Sequence, residues 1–428
     1  MSQTLIPTWP VGPLSSLECT GSEPADRHLP RVLLITHRTP YPPDKGDRIR
    51  SYHVLRYLSR RARVDLATLS DEPVDHETQQ ALCELAGTVE IVPIEPRRRW
   101  VQATASLIRG RSATQGLFAS RELRRRLQRM TARNHYDLVI VVCSGMVQFL
   151  DGLELGKAKI LVDLIDVDSE KWFDYAASAS GWRRRAYGLE GRRVRRLEVL
   201  LAGKCDRIAV VSSAERECLL AFHPTAHVTA IPNGVDFDFF RPDDASICAP
   251  NSCVFVGALD YKPNVDGIQW FCDAVWPEVV RVRPNASFTI VGRRPVEAVR
   301  QLDGRPGVSV VANVADVRPY LWSAAVTVAP LRIARGVQNK VLEAMASGKP
   351  VLVSPEALTG LAARDDEEVR VARSAEQWQT SLQQLFDDDA LRRRLGMAAR
   401  RYVTRQHHWD ECLHPIANLL TNGAALSR

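Results

Sequence analysis

Short runs of aliphatic and β-branched residues alternate along the chain with longer segments whose apolar residues recur at helical spacing. The continuous runs predict buried strands, and in the first half of the chain they cover residues 31–37, 64–70, 89–94, 136–144, 158–166 and 206–213. Segments with helical spacing lie between them, at 51–61, 122–133 and 214–222. Ser213 is the expected N-cap of the last of these helices. This alternation predicts a parallel sheet with helices on both faces.

The alternation breaks at residues 227–242, where Pro232, Asn233, Gly234 and Pro242 make a turn-rich linker. A second series follows, with strands at 253–259, 287–292, 308–313, 326–331 and 350–354 and helices at 265–282, 316–324 and 338–347. We therefore predict an α/β fold of two Rossmann-like doubly wound domains facing a central cleft. Ligands bind beyond the carboxyl ends of parallel strands, so this cleft is the expected site.

The predicted organisation has four parts. They are a loose leader at 1–30, a first Rossmann-like domain at 31–235, a second at 236–405, and a C-terminal helix at 406–428 that packs back on the first domain. The leader lacks the basic and apolar regions of a signal peptide. The longest apolar stretch, 138–150, is shorter than the about 20 residues of a membrane span. We expect a cytoplasmic protein.

Composition excludes several classes of protein. With 45% apolar and 25% charged residues in 428, the chain is not disordered, collagen-like or a coiled coil. Its net charge of +7 leaves three partners open: nucleic acid, an anionic membrane surface, or a phosphate-rich small molecule. Nine cysteines without a CxxC pair favour free thiols in a reducing compartment over a metal site or a disulfide framework.

Several common catalytic motifs are missing from the chain. No GxGxxG follows a candidate strand, and no GxxxxGK[ST], GxSxG or HExxH occurs. These absences disfavour nicotinamide or flavin chemistry, P-loop phosphoryl transfer, serine hydrolysis and zinc proteolysis.

The segment at 328–354 carries the clearest chemistry. A buried strand ends there, Gly336 forms a corner, and a helix opens whose free N–H groups favour phosphate. Lys340 and Glu343 are three residues apart and share a face of that helix. A cation for a diphosphate beside a carboxylate for vicinal hydroxyls suits a nucleotide sugar. A surface ion pair on an ordinary helix is the alternative.

The whole segment resembles a known signature. Residues 336–351 read Gly-x-x-x-Lys-x-x-Glu-Ala-x-Ala-x-Gly-x-Pro-Val, which resembles the nucleotide-binding signature of GT-B glycosyltransferases of the retaining family 4. The segments at 231–242 and 255–271 are similar to the hinge and to the opening of the second domain in that family. The resemblance extends over roughly residues 31–410. More narrowly, 36–61, 162–176 and 330–346 resemble bacterial sugar transferases associated with exopolysaccharide and PEP-CTERM protein-sorting loci.

The resemblance implies roles for individual residues. Glu343 would bind the nucleotide ribose, and Lys340 would contact the donor diphosphate. Arg335 stands where the family carries its first acidic residue, and its guanidinium would add a second phosphate contact. In that family the second domain opens with Gly-Arg, and the arginine would bind phosphate. This chain has Gly257-Ala258 there, so Lys262 and Asn264 are the candidates for that phosphate contact. The other donor-site candidates in this domain are Gly257, Gly292, Asn313, Gly336 and Asn339.

The first domain offers two more candidates. Gly46 in the loop at 42–50 would let that loop fold over the donor phosphates or the acceptor, with Arg48 and Arg50 nearby; a solvated turn is the alternative. Asp166 closes a strand where many family members carry a histidine that contacts the sugar. We take Lys340, Asp166 and Lys262 as the catalytic candidates.

The resemblance also implies a reaction. A nucleotide-diphosphate sugar, such as UDP- or GDP-sugar, would transfer its sugar to a hydroxyl of a glycan or lipid-linked acceptor with retention of configuration. The leaving phosphate would assist deprotonation of the acceptor, and no metal and no cofactor are expected. The alternatives are a GT-B nucleotide-sugar epimerase or a phosphorylase.

A run of arginines at 183–196 bears on the partner. It holds seven arginines and one glutamate, and with the helix at 122–133 it would make a basic face. Arg183, Arg184 and Arg185 are candidates for docking on anionic lipid, which would make the protein peripheral on the inner face of the membrane. A solvated helix with paired arginines is the alternative. No nucleic-acid-binding pattern accompanies the run, so we expect no nucleic-acid partner.

Overall fold

The computed structural model describes residues 17–18, 29–201, 203–243 and 245–421. The predicted leader at 1–30 therefore lies outside the described residues, apart from 17–18 and 29–30. The chain divides into two compact units, of which the first comprises Met1–Leu164, Asp168–Ile208 and Leu419–Arg428, and the second Ile165–Val167 and Ala209–Asn418. The predicted domain limits stay predictions.

The first sheet has eight strands. They are β1 (Leu17–Glu18), β2 (Arg31–Thr36), β3 (Arg63–Ser70), β4 (Thr88–Pro93), β5 (Leu138–Val142), β6 (Lys159–Ile165), β7 (Arg207–Val210) and β8 (Val228–Ala230). Their order is β1-β4-β3-β2-β5-β6-β7-β8. The pairs from β4 through β6 are parallel and β1 is antiparallel to β4. The central strands are buried nearly throughout: β5 is apolar along its whole length, and β2 is apolar from Val32 to Ile35, as is typical of parallel strands covered on both faces.

Within the described residues, eight helices accompany this sheet. They are α1 (Gly46–Ser59), α2 (His76–Cys83), α3 (Pro96–Ile108), α4 (Ala113–Leu117), α5 (Arg121–Arg133), α6 (Asp168–Ala177), α7 (Gly181–Leu201) and α8 (Ser213–Phe222). A 3₁₀ segment covers Ser144–Phe149. The expected cap of α8 is wrong by one residue, because Ser212 is the residue whose side chain accepts from the backbone N–H of Glu215.

The second sheet has six strands, all parallel. They are β9 (Ala249–Val256), β10 (Ser287–Gly292), β11 (Val308–Ala312), β12 (Ala324–Ala329), β13 (Val351–Val353) and β14 (Arg370–Val371). Their order is β11-β10-β9-β12-β13-β14. β9 and β12 lie at the centre of the sheet; β12 is buried along its whole length, and β9 is buried from Ser252 to Val256.

Nine helices follow in the part of this segment that the structure describes, up to residue 421. They are α9 (Lys262–Trp270), α10 (Trp276–Val282), α11 (Glu297–Arg300), α12 (Arg318–Ser323), α13 (Asn339–Ala346), α14 (Ala375–Asp387), α15 (Asp389–Gln406), α16 (Trp409–Cys412) and α17 (His414–Thr421). The single helix predicted at 265–282 is divided, because a π turn at Phe271–Val275 separates α9 from α10. That turn coincides with an aromatic cluster in which Phe271 packs on Trp276, Phe288 and Trp378.

These observations confirm the predicted fold class, since two parallel-sheet Rossmann-like α/β units are present. The expectation of free thiols throughout is wrong at one position, because Cys83 is disulfide-bonded. Seven of the other cysteines are free, among them the buried Cys253 and Cys272. Among the described residues, no helix combines the length and the apolar character needed to cross a membrane.

Candidate functional site

The carboxyl-terminal edge of the second sheet brings most of the predicted residues together. Strands β11, β10, β9 and β12 are neighbours in that order. The residues that follow them are Asn313, Gly292 as the last residue of β10, Gly257, and the loop at 330–338. Because parallel strands end at one edge, four separated segments meet there.

Gly292 and Gly257 lie main chain against main chain. A Cβ placed on Gly292 would overlap the carbonyl oxygen of Gly257, and the backbone N–H of Gly257 donates to the carbonyl of Val291 at 3.0 Å. Only glycine fits at Gly292 for this reason. The main chains at the carboxyl ends of β10 and β9 are therefore in direct contact.

Asn313 shapes the neighbouring turn. Its side-chain oxygen accepts from the backbone N–H of Arg294 at 3.1 Å, and its own N–H donates to the carbonyl of Gly292 at 2.9 Å. Asn313 and Arg294 both have positive φ, at 56° and 53°. Such residues cost of order 1 kcal/mol each and cluster at functional loops. Asn313 was expected to bind the donor, and in this structure its side chain fixes the exit of β10.

Lys340 reaches back over the end of β9. Its Cε lies 3.2 Å from the point that a Cβ on Gly257 would occupy, and its Nζ lies 5.8 Å from the ring centre of Phe255. Nζ donates to the side-chain oxygen of Gln338 at 3.2 Å. The absence of a side chain at Gly257 therefore creates the space that the lysine stem fills. A cation is placed at the exit of the central strand.

Burial sets the protonation of the cation and its neighbouring acid. Burial lowers the pKa of Lys340 to about 8, although the charge of Glu343 opposes the shift. Burial raises the pKa of Glu343 to about 7, and Lys340 opposes that shift. The surface ion pair given as the alternative is the poorer description, because both groups are partly buried and both pKa shifts are in the direction of the neutral forms. Ionisable groups whose pKa is perturbed by burial and by a charged partner cluster at functional sites.

The amide of Asn264 stands beside Gly257 at the start of α9. Its Nδ2 donates to the carbonyl of Ala258 at 2.8 Å, and its buried Oδ1 has no hydrogen-bond partner in the described residues. Lys262, two residues earlier, is exposed as the first residue of α9. Asn264 and Lys340 therefore lie on either side of the space that a side chain on Gly257 would occupy. The role of Lys262 stays a prediction.

The loop before α13 holds Gly336 and Arg335. Gly336 has φ of 60°, and a Cβ there would overlap the Oδ1 of Asp166, so this corner admits only glycine. The guanidinium of Arg335 lies 3.7 Å from Glu215, whose carboxylate also accepts from the N–H of Val167 at 2.7 Å. Asp166, Gly336 and Arg335 are thus brought together.

The side chain of Asn339 contacts the linker segment at 231–242. It is the first residue of α13, and its side-chain oxygen accepts from Nδ2 of Asn233 at 3.0 Å. The carbonyl of Asn233 is in turn 2.8 Å from Nδ1 of His407. Asn339 therefore anchors the linker segment at 231–242, and the donor contact expected of it stays a prediction.

The arginines of the loop at 42–50 in the first unit take part in buried ion pairs. Gly46 is the first residue of α1. Arg48 is buried in ion pairs with Asp44 at 3.4 Å and Glu72 at 3.0 Å. Arg50 is fully buried against Asp163 at 2.7 Å. Both guanidinium groups are thus engaged within the first unit, and the contact of this loop with the donor phosphates or the acceptor stays a prediction.

A cluster that the sequence did not single out lies at the end of β2. Nε2 of His37 is 2.9 Å from Asp47, and Nη1 of Arg38 donates to the same carboxylate at 2.7 Å. Burial raises the pKa of Asp47, but His37 and Arg38 outweigh it and hold that pKa well below its usual range. Nδ1 of His37 is buried without a partner in the described residues. The one feature of the sequence that could have pointed to this cluster is a histidine directly after a buried strand.

A second pair follows the neighbouring strands β5 and β6. Cys143 has φ of 83°, and burial raises the pKa of its thiol to about 12. The next residue, Ser144, is buried and donates to Asp168 at 2.5 Å. Together with His37 these groups put hydroxyl, carboxylate and imidazole chemistry at the carboxyl edge of the first sheet. Among the described residues, no three His, Cys, Asp or Glu side chains are grouped to hold a metal ion.

Comparison with known proteins identifies the class of fold. Residues 250–388 match the family model described as "Glycosyl transferases group 1". No curated protein sequence matches the chain. Among solved structures, the sucrose-phosphate synthase of Thermosynechococcus elongatus has a TM-score of 0.69 at 15% identity, covering 93% of this chain and 100% of that one.

Two further structures show the same fold. HepE of Anabaena, in complex with UDP and glucose, has a TM-score of 0.65 at 13% identity, covering 92% of this chain and 100% of that one. The E. coli structure described as trehalose-6-phosphate, bound with UDP-2-fluoro glucose, has a TM-score of 0.61 at 13% identity over 91% and 99%. The chain therefore has the two-domain fold of GT-B glycosyltransferase structures. The matched segment contains Gly257, Gly292, Asn313, Lys340 and Glu343.

The pKa of Lys340 predicts how the affinity for a nucleoside diphosphate depends on pH. A bound diphosphate favours the charged lysine, which the free protein holds only below a pH of about 8. Above that pH, binding requires proton uptake, so affinity should fall by about tenfold per pH unit. Calorimetric titration with UDP from pH 7 to 10 measures this fall. Lys340→Arg should remove it, because arginine stays charged; an unchanged pH profile in that variant would contradict the assignment.

Proposed function

We propose that this protein is a glycosyltransferase that takes a sugar from a nucleotide-diphosphate donor and transfers it to an acceptor hydroxyl. The observation that carries the proposal is the partly buried pair Lys340 and Glu343 above Gly257, inside the segment that matches group 1 glycosyltransferases. HepE and the E. coli structure carry UDP or a UDP-sugar, which supports a UDP-sugar donor here.

The donor would be held from two sides of its diphosphate. Lys340 supplies a cation at the exit of β9, and the corner at Gly336 lets the phosphates approach the backbone at the start of α13. Glu343 lies about one helical turn after Lys340, on the same face of the helix. Its carboxylate would accept from the ribose hydroxyls of the nucleotide. Arg335 would leave Glu215 and add a second phosphate contact on binding.

Catalysis would rest on stabilising the leaving group. The bond between the anomeric carbon and the phosphate oxygen breaks, its electron pair goes to the diphosphate, and Lys340 neutralises the charge that develops there. The acceptor oxygen bonds to the anomeric carbon on the same face, and its proton passes to the leaving phosphate. The product would therefore retain configuration. Asp166, beside Gly336, would bind sugar hydroxyls.

The acceptor would bind at the carboxyl edge of the first sheet. His37, Asp47, Ser144 and Asp168 lie there as polar groups in a partly buried setting, which suits recognition of hydroxyls. We extend the proposal to a glycan or lipid-linked acceptor in exopolysaccharide synthesis, to a metal-independent reaction and to a cytoplasmic location. A nucleotide-sugar epimerase or phosphorylase is not favoured by any observation.

A donor panel tests this function. UDP-, GDP- and ADP-sugars would be incubated with the protein in EDTA, and nucleotide release would be followed with and without glycan acceptors. We expect donors of one nucleotide class to be consumed. Nucleotide release should increase when an acceptor is present, because transfer to an acceptor hydroxyl is faster than hydrolysis by water. Interconversion of a free nucleotide sugar without release would contradict the proposal, as would release only after a divalent metal is added.

A further inference from the structure

Helix α3 presents an apolar row to solvent. Trp100, Val101 and Ile108 are exposed to 63%, 69% and 82%. Val101 and Ile108 are seven residues apart and lie on one side of the helix, while Ala103 and Ser106 on the other side are buried. The helix is therefore anchored by its inner face, and its outer face carries large apolar side chains that no described residue covers.

Helix α7 repeats this arrangement. Trp182, Leu189 and Leu200 are exposed to 75%, 42% and 62%. Val199 is exposed as well, so the two helices hold seven of the thirteen exposed large apolar side chains of the described chain. Scattered exposed apolar residues are ordinary, but this concentration on two helices marks an interaction surface.

Helix α7 packs on the segment that follows α3 in the first unit. The carboxylate of Glu190 in α7 accepts from the backbone N–H groups of Ala113 and Thr114 at 2.8 and 2.9 Å, at the start of α4. Arg193 of α7 donates to the carbonyl of Arg111 at 3.1 Å. We call the exposed sides of α3 and α7 the arginine–tryptophan face.

Cations surround the apolar side chains on this face. The exposed arginines are Arg97, Arg98, Arg109, Arg111, Arg183, Arg184, Arg185, Arg192 and Arg196. Within the described parts of the chain, none of these nine makes an ion pair. The two glutamates of α7 do not balance them, because Glu190 is 5% exposed and Glu198 is fully buried. The paired, solvated helix that was the alternative for Arg183–Arg185 is not what the contacts show.

The groove beside α7 combines both kinds of chemistry. It lies against Ala176 at the end of α6, and its walls carry Trp182 and Leu189 together with Arg184, Arg185 and Arg192. An apolar wall next to three guanidinium groups matches a molecule with a phosphate at one end and hydrocarbon at the other. Arginine binds phosphate oxygens in a bidentate manner.

We propose that the arginine–tryptophan face docks this protein on the surface of an anionic lipid bilayer. Trp100, Val101, Ile108 and Trp182 enter the interfacial layer, and the surrounding arginines contact lipid phosphates. A nucleic acid would match the charge, but it offers no partner for aliphatic side chains such as Ile108 and Leu200. The proposal does not depend on the transfer reaction, because docking requires no donor.

Vesicle flotation of the full chain tests the docking. The vesicles contain phosphatidylcholine, with or without phosphatidylglycerol. We expect binding to the anionic vesicles that weakens from about 0.1 to about 1 M NaCl. Replacing Arg183, Arg184 and Arg185 together by serine should weaken binding by about 100-fold. Trp100→Ser with Ile108→Ser should weaken it by about tenfold, and this loss should persist in high salt.

Matched controls lie in the second unit. Arg281, Arg300 and Arg393 have side chains exposed to 72%, 63% and 67%, and their replacement by serine should leave flotation unchanged. Ile247→Ser with Met397→Ser is the apolar control. Equal loss in control and test variants would overturn the proposal. So would binding to duplex DNA or RNA with none to vesicles. Circular dichroism confirms that each variant is folded, and donor consumption measured without vesicles reports separately on the proposed function.

Discussion

Lys340→Met should lower kcat/KM for sugar transfer by about 10²–10³-fold. The methionine keeps an apolar stem of similar length over Gly257 and Phe255, so the packing at the exit of β9 is preserved. What is removed is the cation that faces the developing charge on the leaving diphosphate. Because the lysine contacts the diphosphate both in the bound donor and in the transition state, where its charge is greatest, kcat and the affinity for the donor should both fall. Steady-state kinetics with the donor found in the panel measure both.

The control for this variant is Lys204→Met. Lys204 is a lysine of the first unit that pairs with Asp151 at 2.6 Å and is 36% exposed. Its replacement should leave transfer unchanged. An unchanged kcat in Lys340→Met, with the fold intact, would show that the cation of the site lies elsewhere.

Gly292→Ala should destabilise the protein by about 3 kcal/mol and abolish the stabilisation that UDP provides. The added Cβ would overlap the carbonyl oxygen of Gly257, which is backbone and cannot rotate away. Relief requires the exits of β9 and β10 to separate. That movement would displace Gly257 from beneath Lys340 and disturb the turn that Asn313 holds. Thermal unfolding with and without UDP measures both effects.

Gly304→Ala separates this clash from a general effect of losing a glycine. Gly304 has φ of 78°, and a Cβ there would meet nothing within 4 Å. Its replacement should cost only the left-handed backbone strain of about 1–2 kcal/mol and should leave the UDP-dependent shift in Tm intact. A full UDP shift in Gly292→Ala would contradict the assigned geometry.

The sequence predicted the fold well because continuous apolar runs leave few alternatives. β2, β5 and β12 are buried along nearly their whole length, and short continuous apolar runs that alternate with helical segments are typical of a parallel sheet covered on both faces. Helix limits were less predictable. The break between α9 and α10 depends on aromatic packing around Phe271, which no local pattern in the sequence reports.

The candidate site was predictable where one segment held all the information. Lys340, Glu343 and Gly336 lie within eight residues of each other, and their spacing alone placed them at one helix start. Residues whose role depends on distant partners were not predictable. The unsatisfied amide oxygen of Asn264, and Arg48 and Arg50 held in buried ion pairs, emerge only when separate segments meet.

The proposed arginine–tryptophan face was not predictable for the same reason, because it depends on contacts between distant segments. The sequence showed the arginines of α7 but not whether acidic residues balance them. That depends on the burial of Glu190 and Glu198, which point inward. It also did not show that α7 packs on the segment after α3, because that contact is made by Glu190 on the backbone of Ala113 and by Arg193 on the carbonyl of Arg111.

A crystal structure of the protein with UDP bound tests the central claim most directly, because the claim states where the nucleoside diphosphate binds. We expect the diphosphate to lie beyond the end of β9, with a phosphate oxygen within hydrogen-bond distance of Lys340 Nζ and the ribose hydroxyls at the Glu343 carboxylate. UDP bound away from the exits of β9 and β12, or lying at that edge with Lys340 and Glu343 out of contact, would contradict the account.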